Sequence, residues 1–384
     1  MEEKFNNIHI YPSNMLFESR IYKIAGSIKA LNIYDNIILL GINDGNLPIK
    51  ENLKDNIYIH RLNMETSNWL KKGFIHKVLN VIKLSSLTFK FLKQKKPKVV
   101  HAHNLASLPV AVIYKIFYKT KVVYDTHEFE TEREGWSPFI RKFSKIIEKI
   151  LIKYADITVV VSEAIGEYYQ RDYDIKPINI LNVPEIGTIN KGDYFRKKYQ
   201  ISDSTKIFIY LGAFIESRGI MRYIDFINQT NLDICFIFMG KGEKLKEMER
   251  LLTDSKKAFI HHSVDQKTLK NILGGADYSL QTLSFKKDLS LSYKLGLGNK
   301  FFESCMAKLP MIGGGFETQN KYMKKYSIGI SIKNDDFDSI EKGIINLLEL
   351  NIDSLKQNCE IVFNEFNWEK ESKKITNYYK EYII

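Results

Sequence analysis

The sequence predicts an α/β fold of two doubly wound domains, each a mostly parallel sheet covered by helices. Three observations support this prediction. The 384 residues suit two domains of about 150 to 200 residues each. Short apolar runs of strand length alternate with longer amphipathic stretches, and this alternation pauses once before it resumes. Because doubly wound sheets bind ligands beyond the carboxyl ends of their strands, we expect the two domains to face a central cleft.

The first half of the chain contains five apolar runs typical of strands that are buried on both faces. The stretches 19–31 and 139–155 carry apolar residues at three- and four-residue spacing, which predicts helices that pack on a sheet. The five predicted strands are 7–11, 36–42, 98–103, 121–127 and 157–162.

A linker is predicted at residues 182–194, where Pro184, Gly187 and Gly192 interrupt the periodicity. We therefore expect domains at 1–185 and 186–365, with a C-terminal helix over about 366–384 that packs back on the first domain. The predicted strands of the second domain are 206–212, 234–242, 257–262, 276–283 and 309–315.

The composition, with 44% hydrophobic and 27% charged residues, is globular and excludes a disordered chain. Cys235, Cys305 and Cys359 are too few and too widely spaced for a disulfide framework or a thiolate metal site. With no apolar window of membrane-helix length and a polar start, the chain is expected to be soluble and cytoplasmic. Neither domain has GxGxxG after its first strand, so an ordinary dinucleotide site is not expected.

The net charge of +12 is concentrated in residues 51–100, which hold 11 basic and 3 acidic residues. Within it, residues 71–98 interleave lysines with apolar side chains. This pattern is typical of an amphipathic helix on an anionic membrane surface and equally of a solvated helix that covers the domain. No nucleic-acid-binding motif is present, so nucleic acid is not an expected partner. A second basic face is formed by Arg141, Lys142, Lys145, Lys149 and Lys153.

An anion site is predicted where Gly212 and then Arg218-Gly219 follow a strand and precede a helix. Glycines there let backbone N–H groups approach a phosphate, and a guanidinium can bind it with two hydrogen bonds. The alternative is a surface arginine beside a helix-start glycine. The stretch NKFFESCMAKLP predicts a helix from Asn299 with Glu303 near its amino end, where a carboxylate is favoured and could accept both ribose hydroxyls. The alternative role for Glu303 is helix stabilisation.

Asp125-Thr126-His127-Glu128 follows a buried strand directly, so His127 and Glu128 are expected at its carboxyl end. A histidine there can donate to a sugar hydroxyl or be an ordinary loop residue, whereas Asp125 is expected to be structural. His101 and His103 lie on the same side of a strand, but without a nearby third ligand in the sequence a metal site is not expected. Trp136, in the following loop, is a weaker candidate for contact with a ligand in the cleft.

Taken in order, these segments resemble the retaining, nucleotide-sugar-dependent glycosyltransferases of family 4, which have the two-domain GT-B fold. The resemblance covers nearly the whole chain. It rests on residues 19–42, 99–111, 122–130, 154–165, 181–185, 210–220, 236–243, 276–283, 299–313 and the closing FNWEKES.

The resemblance implies roles for individual residues. Catalytic roles fall to His127 on the donor sugar, Arg218 on the diphosphate and Glu303 on the ribose. Leu295 stands where the family's Glu-x7-Glu motif has its first glutamate, so we expect a loop at 292–299 whose backbone amides face the sugar. The substrate-binding residues implied are Gly212, Arg218, Gly219, Ser292, Asn299, Lys300, Glu303 and Glu128, with His103 on the acceptor side.

The expected activity is transfer of a hexose, with retention, from a nucleotide diphosphate sugar to a bacterial surface glycan such as capsule, O-antigen or a teichoic-acid-like polymer, or to its lipid-linked precursor. A UDP-sugar is the favoured donor. No cofactor and no metal are expected, and the protein is expected in the cytoplasm, peripheral on the inner membrane face or free. The alternatives are a sugar-nucleotide epimerase or phosphorylase, and a degenerate subunit, marked by Leu295, that binds nucleotide or glycan for a partner transferase.

Overall fold

The computed structural model describes residues 5–43, 45–64, 74–286 and 289–384. The chain folds as two compact units: unit 1 comprises Met1–Leu181 and Lys370–Ile384, and unit 2 comprises Asn182–Glu369. Each is a parallel-dominated sheet with helices, which confirms the predicted fold class.

The strands of unit 1 form one sheet with a single antiparallel pair among its described residues. They are β1 (Asn6–Ile10), β2 (Asn36–Asn43), β3 (Lys50–Lys54), β4 (Ile57–Asn63), β5 (Val99–Ala102), β6 (Lys121–Asp125), β7 (Ile157–Val160) and β8 (Ile178–Asn179). The sheet order is β3-β4-β2-β1-β5-β6-β7-β8. The helices are α1 (Ser19–Lys29), α2 (Phe74–Lys95), α3 (Leu108–Tyr118), α4 (Pro138–Leu151) and α5 (Glu163–Tyr173).

The burial of these strands follows from their sequences. β5 and β7 are buried along their whole length, as continuous apolar runs require. β3 is instead polar and mostly exposed, and it pairs antiparallel with β4 at the edge of the sheet. A short, charged strand at this position closes the edge against pairing with another chain.

Unit 2 has an entirely parallel sheet among its described residues, in the order β11-β10-β9-β12-β13-β14. Its strands are β9 (Lys206–Ala213), β10 (Ile234–Lys241), β11 (Ala258–His262), β12 (Tyr278–Leu283), β13 (Met311–Gly314) and β14 (Gly329–Ser331). Its helices are α6 (Tyr194–Tyr199), α7 (Ile220–Ile227), α8 (Leu245–Leu251), α9 (Gln266–Ile272), α10 (Leu291–Leu295), α11 (Asn299–Met306), α12 (Glu317–Tyr326), α13 (Phe337–Glu349) and α14 (Ile352–Glu365).

Two apolar clusters cover the two faces of the unit 2 sheet. Because side chains alternate along β9, Phe208 and Tyr210 belong to one cluster, whereas Ile207 and Ile209 belong to the other. The central strand is therefore buried on both sides.

The last helix, α15 (Trp368–Tyr382), carries the chain back to unit 1. Tyr379 is fully buried there, and its hydroxyl lies 3.1 Å from His101 Nδ1 and 3.5 Å from Asn7 Nδ2. The Glu371 carboxylate accepts the backbone N–H of Leu181 at 2.9 Å. Residues far apart in sequence therefore complete this part of the core.

The basic stretch 71–98 forms α2 from Phe74 to Lys95, while residues 71–73 lie outside the described part of the chain. Leu84 and Leu92 on this helix are buried, whereas Ile82 is exposed. Part of its apolar side therefore covers the domain, whereas Val78 and Leu79 are 37% and 55% exposed, so both alternatives for this stretch remain open. No described helix combines the length and the apolar character needed to cross a bilayer.

A buried carboxylate ties α4 to the rest of unit 1. Glu148 is fully buried, and its oxygens accept hydrogen bonds from the hydroxyls of Tyr124, Tyr169 and Tyr173 at 2.5, 2.7 and 2.6 Å. Burial raises the pKa of Glu148 to about 7, although the three hydroxyl donors act in the opposite direction.

We predict that Glu148→Gln removes a pH-dependent part of the stability. Since the pKa of Glu148 is raised on folding, the native state binds this proton more tightly than the unfolded state does. The contribution is complete below the ordinary glutamate pKa and is lost as the pH rises through about 7. Urea unfolding from acid to mildly alkaline pH should show the wild type losing on the order of 3 kcal/mol relative to Glu148→Gln.

The matched control is Glu163→Gln, at an exposed position at the start of α5. It should follow the wild-type pH profile. Parallel profiles for the wild type and Glu148→Gln would contradict the raised pKa.

Candidate active site

In unit 2, the backbone where β9, β10 and β12 end makes two close approaches that have room only for glycine. Gly219 has φ 67°, and a Cβ there would lie 1.4 Å from the Leu283 carbonyl oxygen. A Cβ at Gly240 would lie 1.8 Å from the carbonyl oxygen of Gly212. The backbone of β9, β10 and β12 is therefore packed tightly where the strands end, and side chains cannot shield it from a ligand.

Arg218 lies in the short 3₁₀ turn Glu216–Arg218 just before Gly219. Its guanidinium carbon is 4.3 Å from the centroid of the Tyr293 ring and 5.4 Å from that of Phe316. Among the described residues it forms no ion pair, and its one polar side-chain contact is Thr282 Oγ1 at 3.4 Å. The aromatic rings thus hold a half-buried positive charge that no described carboxylate neutralises, which is an arrangement suited to an anion.

Glu303 lies on α11, which begins at Asn299 as the sequence predicted. The residue is 3% exposed. Gln266 Nε2 donates to its Oε1 at 3.3 Å, and the Lys300 ammonium contacts Oε2 at 2.8 Å. Both carboxylate oxygens are therefore engaged, and a ribose would have to share them or replace Gln266. The predicted diphosphate residue Lys300 forms an ion pair with Glu303 here.

The segment 292–299 differs from the predicted loop. Residues Leu291–Leu295 form α10, so only 296–298 remain irregular between it and α11. The Ser290 side chain caps α10 by accepting the Tyr293 N–H, which the sequence analysis missed. Ser292 and Leu295 are 3% and 6% exposed, so both side chains point into the protein. Leu295 is part of the apolar interior of unit 2.

In unit 1, Asp125 at the end of β6 is the centre of a buried polar cluster. Arg20 of α1 binds it with two hydrogen bonds, Nη2 to Oδ1 at 2.7 Å and Nε to Oδ2 at 3.1 Å. Burial opposes ionisation of this carboxyl, but the Arg20 charge and the hydrogen bonds of two histidines outweigh it and hold the pKa of Asp125 well below its usual range. Asp125 is therefore ionised, with the structural role that the sequence predicted.

His103 extends this cluster into the sheet. Its Nδ1 lies 3.1 Å from Asp125 Oδ2, and its Nε2 lies 2.8 Å from His9 Nδ1. Burial lowers the pKa of His103 to about 4, so the ring is neutral. The arrangement fits a proton on Nδ1 that is donated to Asp125 and an Nε2 that accepts from His9. Because His103 has no exposed surface, the prediction that it contacts substrate was wrong; it acts only through its neighbours.

His127 lies at the surface of the cluster, with 15% of its side chain exposed. Its Nε2 is 3.0 Å from His103 Nδ1 and 3.6 Å from Asp125 Oδ2, while the ring stacks on Tyr11 at 4.9 Å between centroids. The ring is held on two sides, and Nδ1 is the nitrogen not engaged by the cluster. Glu128 is paired with Arg133 at 3.2 Å.

Two groups of described residues have ligand atoms close enough for a metal ion: His9, His101 and His103, and His103, Asp125 and His127. The sequence argument that no third ligand lies near His101 and His103 was therefore wrong. In the first group, His9 Nδ1 and His103 Nε2 already contact each other at 2.8 Å. In the second, the Arg20 guanidinium already neutralises the carboxylate.

The sequence analysis missed His9, Arg20 and Tyr11. A histidine inside the apolar strand NIHIY was the available signal, because an uncompensated imidazole is costly in a sheet interior. Arg20 carried no such signal, since its partner is more than a hundred residues away.

The chain matches the family described as Glycosyltransferase Family 4 over residues 53–184 and Glycosyl transferases group 1 over residues 193–361. An uncharacterized glycosyltransferase of Methanocaldococcus jannaschii is 23% identical over 287 residues, which is 70% of each chain. Sucrose-phosphate synthase from Thermosynechococcus elongatus has the same fold, with a TM-score of 0.78 and 13% identity over 99% of both chains. The Anabaena protein HepE in complex with UDP-glucose has a TM-score of 0.72 and 12% identity over 98% of this chain and 99% of its own.

The structural likenesses establish the GT-B fold, and the two family matches together span most of both units. The chain belongs to glycosyltransferase family 4.

Proposed function

We propose that this glycosyltransferase moves a hexose, with retention, from a UDP-sugar to a hydroxyl of a surface glycan or its lipid-linked precursor. The observation that carries the proposal is Arg218, a positive charge that lies against two aromatic rings and is paired with no described carboxylate. A diphosphate supplies the missing negative charge. The UDP-glucose bound to HepE, which shares the fold, favours uridine as the base.

In the proposed complex, unit 2 binds the diphosphate at the carboxyl end of β9. Arg218 donates two parallel hydrogen bonds to phosphate oxygens, and the backbone at Gly212 and Gly219 approaches them without a Cβ in the way. This charge stabilises the departing diphosphate, which in other transferases is the task of a metal ion. We therefore propose a metal-independent reaction, in which treatment with EDTA leaves turnover unchanged.

Glu303 is proposed to accept the ribose hydroxyls. Gln266 contacts it at 3.3 Å, the longer of its two hydrogen bonds, so a ribose hydroxyl can replace this amide at small cost. Lys300 pairs with the carboxylate, and with a partly exposed side chain it can also reach toward a phosphate.

His127 is proposed to contact the donor sugar, as the family resemblance implies. Asp125 and His103 position the ring, so that its orientation is set before the sugar binds. In the reaction, the bond between the anomeric carbon and the β-phosphate oxygen breaks and its electron pair leaves with UDP. The acceptor oxygen bonds to the same face of that carbon, and its proton passes to the departing phosphate.

Leu295 supports a second candidate function, a degenerate subunit that binds nucleotide without turnover. Its buried side chain replaces a carboxylate of the family motif. Incubation with a UDP-sugar and no acceptor separates the possibilities: a transferase hydrolyses the donor slowly, an epimerase yields an epimeric UDP-sugar, and a degenerate subunit leaves the donor unchanged.

We predict that Arg218→Ala weakens UDP binding at least about tenfold, because a charge-assisted double hydrogen bond is lost. UDP-, GDP-, CMP- and ADP-sugars should first be ranked by thermal shift of the wild type, and the affinity for UDP then measured by calorimetry. Arg222→Ala is the matched control, since Arg222 is paired with Asp335 at 3.1 Å. Equal affinities in the two variants would remove Arg218 from the site.

We predict that Glu303→Gln abolishes discrimination between UDP and 2′,3′-dideoxy-UDP. The wild type should bind UDP about tenfold more tightly, because a hydrogen bond to a charged group is absent from the dideoxy ligand. In Glu303→Gln both ligands should bind alike, whereas Glu317→Gln, at an exposed position of α12, should retain the preference. A preference that survives in Glu303→Gln places the ribose elsewhere.

We predict that His127→Ala lowers the rate of donor hydrolysis about a hundredfold while the affinity for UDP stays at the wild-type value. In the proposal His127 contacts only the sugar, so its loss leaves the contacts to UDP in place. Chromatography of released sugar measures the rate. A wild-type rate in His127→Ala would show that the ring does not serve the reaction.

A further inference from the structure

Helix α4 presents an apolar stripe to solvent. Phe139, Phe143, Ile146 and Ile150 are 68%, 44%, 53% and 57% exposed, and their spacing of four, three and four residues places them on one side of the helix. Phe139 and Phe143 stack with ring centroids 6.4 Å apart. Single exposed apolar residues are common, but a continuous row along one helix requires an explanation.

Positive charge follows one edge of the stripe. At 100° per residue, Lys142, Lys145 and Lys149 lie side by side next to the apolar row. With Arg141 and Arg171 they line a surface depression of about 820 Å³. Glu132 neutralises part of this charge through Lys145 at 2.5 Å and Arg141 at 3.3 Å, but Lys142 and Lys149 form no ion pair among the described residues.

The helix that carries these side chains is firmly held. On its inner side, Glu148 is bound by three tyrosine hydroxyls, and at its start the Ser137 side chain accepts the N–H of Ile140. The stripe and its lysine edge are therefore presented in a fixed arrangement, with little conformational entropy to lose on binding.

We propose that this surface, the stripe of α4 with its lysine edge, docks on an anionic phospholipid bilayer. The apolar side chains enter the boundary between headgroups and acyl chains, while the lysines contact lipid phosphates. Charge favours a bilayer over a second copy of this chain, because a symmetric contact through the stripe brings two basic edges together. The inference rests on the proposed function, because docking on a bilayer brings the protein near a lipid-linked acceptor.

The test is partition of the full chain into vesicles of phosphatidylcholine with one quarter phosphatidylglycerol, measured by co-sedimentation. The wild type should bind these vesicles, less so at high salt, and should not bind pure phosphatidylcholine. Phe139→Ser with Phe143→Ser, and separately Lys142→Glu with Lys149→Glu, should each lower the partition coefficient about tenfold or more.

Matched controls make the same changes on unit 2. Ile186→Ser with Ile361→Ser replaces residues that are 59% and 56% exposed, and Lys256→Glu with Lys267→Glu alters two exposed lysines. Both should bind vesicles as the wild type does. The proposal is overturned if the control variants lose as much vesicle binding as the α4 variants do. It is also overturned if the wild type binds vesicles equally with and without phosphatidylglycerol.

Light scattering tests whether a second copy of this chain covers the surface instead of a bilayer. One outcome is a wild type that forms a stable dimer, does not bind vesicles, and becomes monomeric in the variant Phe139→Ser with Phe143→Ser. This outcome assigns the surface to self-association and overturns the proposal. The affinity for UDP, measured on the same samples, separates the docking hypothesis from the proposed function. If an α4 variant loses vesicle binding but binds UDP with wild-type affinity, the proposed function is unaffected.

Discussion

The buried ion pair between Arg20 and Asp125 is the interaction on which the polar end of the first sheet depends. A carboxylate with no exposed surface is tolerated only if its charge is fully compensated, and Arg20 does this with two hydrogen bonds while its third nitrogen donates to the Ile180 carbonyl at 2.8 Å. One side chain thus joins α1, β6 and the segment after β8. The same carboxylate orients His103, which in turn contacts His127, so buried charges set the position of the partly exposed imidazole in this cluster.

The two units balance charge differently at their strand ends. In unit 1 the carboxylate and its cation are both internal, and the cluster is electrically complete without a ligand. In unit 2 the guanidinium of Arg218 lies on aromatic faces, which stabilise a cation without neutralising it. The first arrangement is neutral as a pair, whereas the second leaves a positive charge that no described carboxylate neutralises. The proposed function depends on this difference, because it assigns the diphosphate to Arg218 and the orientation of His127 to the buried cluster.

The sequence predicted the strands that are buried on both faces, because a continuous apolar run such as 157–162 has few other structures open to it. It missed β3, whose polar residues pair at a sheet edge, and β4, whose burial alternates. The segment at Ser292 was expected to be a loop because of the family resemblance, yet a serine cap is enough to start α10. The amphipathic pattern of α4 was visible, but which of its apolar residues face solvent depends on Glu148 and its tyrosines, which are brought together only by folding.

The return of the chain to unit 1 through α15 has a consequence for biosynthesis. The residues of unit 2 leave the ribosome before Tyr379, which supplies the last buried hydroxyl against β1 and β5. Although domains generally fold in the order in which they are made, the second unit here is complete while the first still lacks its closing helix. The nascent protein therefore exposes an unfinished core in unit 1 until α15 has been made.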